Sequence, residues 1–75
     1  MATAYVLINA DLGHEAEIIK EMKMIEGISE TYVVYGAYDI IGRIDAETMA
    51  ELKDIISWKV RRIQWVRSTI TMIVV

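Results

Sequence analysis

Two stretches of helical periodicity, each set between β-prone runs, leave this chain few ways to fold. Ile18, Ile19, Met22 and Ile25 recur at helical spacing, so residues 14–25 read as an amphipathic helix. Met49, Leu52, Ile56, Val60 and Ile63 step by three, four, four and three, which predicts a second helix over 46–62. Around them lie four apolar, β-branched or aromatic runs: 4–10 (AYVLINA), 28–35 (ISETYVVY), 38–44 (YDIIGRI) and 65–75 (WVRSTITMIVV). Asp11 and Asp45 stand where N-caps are expected, and Gly27 where a glycine would end the first helix. Gly36-Ala37 is a break short enough for a two-residue hairpin. Gly42, inside the third run, predicts a bulge or a close backbone approach.

The order is therefore β-α-β-β-α-β. The two halves look alike at an offset of 33, with Tyr5 opening the first strand and Tyr38 the third. Each half is a β-α-β unit, and right-handed crossovers put both helices on one face of a four-stranded antiparallel sheet. The expected fold is an α+β, ferredoxin-like βαββαβ sandwich. The chain contains no proline, linker or low-complexity stretch, so residues 1–75 read as a single domain.

Such a layout covers one sheet face only, and the strands should alternate apolar and polar if the other face met water. They do not. Val6 and Ile8 oppose Tyr5 and Leu7, while Tyr32 and Val34 oppose Val33 and Tyr35. Ile40 and Ile44 oppose Ile41, and Val66, Ile70, Met72 and Val74 oppose Trp65, Ile73 and Val75. Hydrophobic residues make up 55% of the chain. A domain this small buries only roughly 60% of the surface its unfolded chain exposes. Apolar surface is left over, and a second copy, sheet against sheet, is the simplest cover.

Other readings fall away on composition. There is no cysteine, which excludes disulfides, thiolate metal sites and a cysteine nucleophile. His14 is the only histidine, so neither a histidine metal centre nor a catalytic triad has its parts. No cofactor or metal is expected. No run approaches the ~18 apolar residues of a membrane span. The first residues lack the basic and apolar regions of a secretion signal, so a cytoplasmic location without membrane contact is expected.

A net charge of −3 argues against direct nucleic-acid binding. The charge is uneven, however. Residues 11–26 carry five acids against Lys20 and Lys23, and residues 53–67 carry five bases against Asp54. Two solvated helix faces explain this; a phosphate-binding patch on the basic segment is the alternative. Glu17/Glu21 and Glu47/Glu51 pair at i, i+4 but fall on polar helix sides. Met22, Met49 and Met72 lie on apolar stripes and read as core filler.

The hairpin is richer. Tyr35-Gly36-Ala37-Tyr38-Asp39 places an open backbone, two aromatics and a carboxylate within five residues. Backbone N–H groups at a glycine turn suit a ligand carboxylate, and Asp39 could accept from an ammonium group; a plain turn with Asp39 as a local acceptor is the alternative. The same residues carry a resemblance. Gly36-Ala37-Tyr38-Asp39 is similar to the hairpin motif of the Lrp/AsnC ligand-sensing domain. Thr69 and Thr71, followed by Met72-Ile73-Val74-Val75, are similar to that family's last strand, and Ala4-Tyr5-Val6-Leu7-Ile8 to its first. Ile25-Glu26-Gly27-Ile28 keeps the glycine of the family's Ile-Pro-Gly-Val but not the proline. Gln64-Trp65-Val66 stands where Pro-Gly-Val is usual, so both position 26 and position 64 depart from the pattern.

The resemblance covers the whole chain, and its implications go beyond the residues. It implies a dimer through facing sheets, dimers joined into rings such as octamers, and an amino-acid effector held between neighbouring dimers. Carried over by position, the ligand-binding residues are Gly36, Ala37, Tyr38, Asp39, Thr69 and Thr71, with Tyr35 and Ser68 beside them. Regulators of this family also carry a helix-turn-helix, for which 75 residues leave no room. The expected form is thus the stand-alone module, non-enzymatic, acting on transcription by co-assembly with full-length regulators. Two alternatives stay open: a small dimeric ferredoxin-like enzyme of isomerase or oxygenase type recruiting His14, Trp58 and the tyrosines, and a structural oligomeriser with a degenerate pocket.

Overall fold

The computed structural model describes residues 1–75. The elements run β1 (Ala2–Ala10), α1 (Glu15–Lys23), β2 (Ile28–Val33), β3 (Ile40–Ala46), α2 (Met49–Asp54) and β4 (Val66–Ile73), with a π-helical continuation of α2 over Ile55–Val60. All neighbouring strands are antiparallel, in the order β2-β3-β1-β4. This is the ferredoxin-like α+β arrangement that the periodicities predict. No helix is long and apolar enough to cross a membrane.

Alternation in the two central strands decides where the core lies. Ala2, Ala4, Val6, Ile8 and Ala10 of β1 and Ile40, Ile44 and Ala46 of β3 are buried beneath the helices. Ile18 and Met22 come down from α1, and Leu52, Ile55, Ile56 and Val60 from α2 and its continuation. Gly42 is the close approach expected of it: a Cβ there would lie 2.5 Å from the Met22 methyl. Gly27 ends the α1 connection at φ +102°, where a Cβ would also press on Ile55.

Both expected N-caps are corrected. His14, not Asp11, precedes α1, and its side chain caps nothing. Asp11 instead ties the end of β1 to the start of β4. Its N–H donates to the Trp65 carbonyl at 2.8 Å, and its carboxylate lies 3.6 Å from Arg67. Asp45 stays in the sheet because it has better partners there. It accepts from the Thr3 and Ser29 hydroxyls at 2.7 and 2.8 Å and from Arg43 at 3.2 Å. β3 therefore runs to Ala46, and Thr48 caps α2, accepting from the Glu51 N–H at 3.1 Å.

The second helical segment is shorter than 46–62 and ends as a π-helix. Its apolar steps of four outrun the α-helical period. The wider turn, in which the Arg61 N–H donates to the Ile56 carbonyl at 3.1 Å, keeps Ile56 and Val60 facing inward.

β4 departs from simple alternation. Ala10 pairs with Val66 but Asn9 pairs with Ser68, so Arg67 is an extra residue. Val66 thereby joins the helix-side core instead of sharing a face with Ile70 and Met72. Thr69, Thr71 and Ile73 follow on the helix side, opposite Ile8, Val6 and Ala4. β2 carries a similar irregularity between Ile28 and Glu30.

No element of the chain covers the outer sheet face. Register aligns Tyr32, Ile41, Leu7 and Ile70 in one row across all four strands. Glu30, Arg43, Tyr5 and Met72 form the next. Tyr32, Ile70 and Met72 are each about half exposed, at 54%, 47% and 49%. The first row is as apolar as the sequence pattern predicts, whereas Glu30 and Arg43 put an ion pair into the second.

Candidate functional site

The β2–β3 connection is longer than a two-residue hairpin because Asp39 belongs to β1 as much as to β3. The Asp39 N–H donates to the Ile8 carbonyl at 2.9 Å, and Asp39 Oδ2 accepts from the Ala10 N–H at 2.8 Å. The Val34 N–H closes the loop on the Asp39 carbonyl at 2.8 Å. Residues 34–39 therefore form a loop held at both ends, and Tyr38 does not open the third strand as the repeat implies. Gly36 takes φ +149°, open to a glycine and unfavourable to other residues, with nothing packed around it. Tyr35 beside it is fully exposed, and Tyr38 is half-buried.

Asp39 and Ser68 meet in one shallow cleft of about 360 Å³, lined also by Asn9, Ala10 and Arg67. Asn9 Nδ2 donates to Ser68 Oγ at 3.2 Å. A carboxylate and a guanidinium thus share a small polar cleft at the end of β1. Sequence reasoning passed over Asn9 and Arg67. The one signal for Asn9 was an amide interrupting an apolar run, while Arg67 enters only through the β4 bulge. Thr69 and Thr71 are not in this cleft. They flank Ile8 and Val6 on the helix side of the sheet, and the Thr71 hydroxyl is buried without a partner. The eight nominated residues thus divide into the loop and cleft on one hand and the inner side of β4 on the other.

A second polar group lies on the outer face. The Thr3 and Ser29 hydroxyls, with Arg43 beside them, hold the Asp45 carboxyl below its ordinary pKa. A hydrogen bond to Glu30 and that residue's charge push the Tyr32 phenol up. No three His, Asp or Glu side chains converge as a metal would require.

Residues 3–75 match the Lrp/AsnC ligand binding domain. The chain belongs to the Lrp/AsnC family. An HTH-type transcriptional regulator of Pyrococcus furiosus is 32% identical over 74 residues, which are 95% of this chain and 49% of the regulator. The Lrp/AsnC domain thus spans about half the length of the curated relatives it matches. Among solved structures, FFRP-DM1 superposes with a TM-score of 0.95 at 33% identity, each chain covered in full. A Neisseria meningitidis transcriptional regulator, solved as its L-Met complex, shares the fold at TM-score 0.85 and 9% identity, with 99% of this chain and 49% of that one covered. Within the Lrp/AsnC frame, the departure at Gln64-Trp65 has a structural counterpart. Trp65 adopts φ +79°, a left-handed backbone that a glycine would take freely.

Proposed function

We propose that this Lrp/AsnC domain binds a free amino acid as effector, dimerises through its outer sheet faces, and joins dimers into rings, a tetramer of dimers being the expected form. Through co-assembly with full-length regulators it would modulate transcription of amino-acid metabolism genes. The observation that carries the effector reading is the meeting of Asp39 and Arg67, with Asn9 and Ser68, in one cleft. A free amino acid carries an ammonium and a carboxylate on one carbon. Asp39 engages Ala10 through Oδ2, which leaves Oδ1 for the ammonium; Arg67 and the N–H groups near Gly36 suit the carboxylate. Tyr35, Gly36 and Ala37 are exposed on the loop that leads to Asp39, with Tyr38 half-buried beside them, and a neighbouring dimer would close over that loop; Thr69 and Thr71 remain candidates by family position. The Neisseria regulator's complex with L-Met supports this ligand class. The uncovered apolar row of Tyr32, Ile41, Leu7 and Ile70 supports the dimer.

Calorimetric titration with the twenty amino acids tests the effector reading. Asp39→Asn keeps an acceptor for the Ala10 N–H and removes the charge. It is expected to weaken binding about ten- to hundredfold, the loss of one charge-assisted hydrogen bond. Equal affinity for the two proteins would move the effector away from Asp39.

A further inference from the structure

The cleft at Asp39 has a centre that the β2–β3 loop does not supply. Asp39 bonds to the backbone of Ile8 on one side and of Ala10 on the other, so it stands beside Asn9. Ser68 pairs with Asn9 from β4. Asp39, Asn9 and Ser68 therefore follow one another across the end of the sheet, where neighbouring strands lie about 4.8 Å apart. Arg67, the extra residue of the β4 bulge, joins them in the cleft.

Charge in the cleft is sparse. Among the lining residues Asp39 is the one anion, Arg67 the one cation and Ala10 the one apolar residue. A free amino acid brings an ammonium and a carboxylate of its own. These engage both charged groups and leave none for a charged side chain. An acidic side chain would set a second carboxylate near Asp39, and a basic one a second cation near Arg67.

What remains for the side chain is hydrogen bonding. Asn9 Nδ2 donates to Ser68 Oγ at 3.2 Å. Asn9 keeps its Oδ1 acceptor and a second amide N–H, and Ser68 keeps its own O–H. A side chain placed here meets an acceptor and donors together. An apolar one would strip water from them without replacing its hydrogen bonds.

We propose that the effector's side chain is short, neutral and both donor and acceptor, as a carboxamide or hydroxyl is, and that Asn9 and Ser68 select it. The inference rests on the effector reading above and adds the side-chain class. With the ammonium on Asp39 and the carboxylate on Arg67, the side chain lies toward Asn9 and Ser68. A carboxamide accepts from either residue through its oxygen and donates to Asn9 Oδ1 through its nitrogen. A hydroxyl accepts and donates through a single oxygen.

Calorimetric titration of the intact protein with matched amino acids tests this. Asparagine is set against leucine and aspartate, and threonine against valine, which change polarity or charge at nearly constant shape. Asparagine and threonine are each expected to bind at least about tenfold tighter than their counterparts, the effect of one unmet polar group in the site. Ser68→Ala and Asn9→Leu are each expected to bring those ratios toward one. Ser68 is exposed on an edge strand, so Ser68→Ala keeps the fold whatever Asn9→Leu does, and circular dichroism confirms it. Leucine or valine binding as tightly as its polar counterpart, and still weakened by Asp39→Asn, would overturn the side-chain class and leave the effector reading standing. Aspartate matching asparagine would do the same. A preference that neither Ser68→Ala nor Asn9→Leu alters would overturn the selection by these two residues. A preference carried by Asn9 and Ser68 but indifferent to Asp39→Asn would uphold the selection and withdraw the ammonium from Asp39. Silence from all twenty amino acids would remove both readings together.

Discussion

At residue 65 two energies of similar size oppose each other. A left-handed backbone costs an L-residue about 1–2 kcal/mol, and aromatic stacking returns about 0.5–1.5 kcal/mol beyond burial. Trp65 has both, at φ +79° and with its ring on His14. Trp65→Gly and Trp65→Ala lose the stack equally, but only glycine relieves the backbone. The glycine variant is expected to be more stable than the alanine variant by about 1 kcal/mol, read from urea unfolding. Alanine equal to or better than glycine would remove the strain from the account. Asp45 makes the opposite kind of residue, one whose partners all agree. Its folded pKa lies below the unfolded value. Its contribution is therefore complete above the ordinary aspartate range near pH ~4 and is lost as pH falls through the folded pKa. Asp45→Asn should lower stability at pH 7 and flatten the acid limb of the stability profile. Urea midpoints at neutral and acid pH check this; parallel profiles for the two proteins would show that the carboxyl is not linked to folding.

Element ends depend on single hydrogen bonds between several eligible residues. Thr48→Ala removes the side-chain acceptor for the Glu51 N–H and should cost about 1 kcal/mol. Asp11→Ala should leave the helical content of α1 unchanged, since Asp11 caps nothing there. Circular dichroism through thermal unfolding separates the two. The 3.6 periodicity of the helices and the apolar, β-branched and aromatic runs of the strands were enough to read all four strands and both helical segments from the sequence. The ends were less legible. Asp11 and Asp45 have the right chemistry for capping, but long-range partners claimed them: Trp65 and Arg67 for one, Thr3, Ser29 and Arg43 for the other. The Asp39–Ala10 bond that lengthens the β2–β3 loop joins residues 29 apart and leaves no local mark. The bulge at Arg67 is equally silent in a string of letters, yet it decides that Val66 joins the core and that Thr69 and Thr71 face the helices. The Asn9, Asp39, Arg67 and Ser68 cleft inherits both gaps.

For the whole molecule the outer face governs behaviour. Its central row, Tyr32, Ile41, Leu7 and Ile70, spans every strand without a charge. Ile70→Glu would place a carboxylate in that row, and burying it unpaired against a partner sheet would cost several kcal/mol. The expected result is a folded 8.6 kDa monomer by sedimentation, against a dimer or larger expected of the parent chain. A variant that still sediments with the parent would place the interface elsewhere.

The two bulges reach further than the strands they interrupt. Both lie at the sheet's borders, one in β2 and one against β4, and each locally kinks an edge strand to which another chain would have to pair to extend the sheet sideways. A chain with an apolar sheet face and smooth borders could add strands without limit and grow into fibres. Kinked borders disfavour that sideways growth, and the face-on pairing proposed above needs no free strand edge.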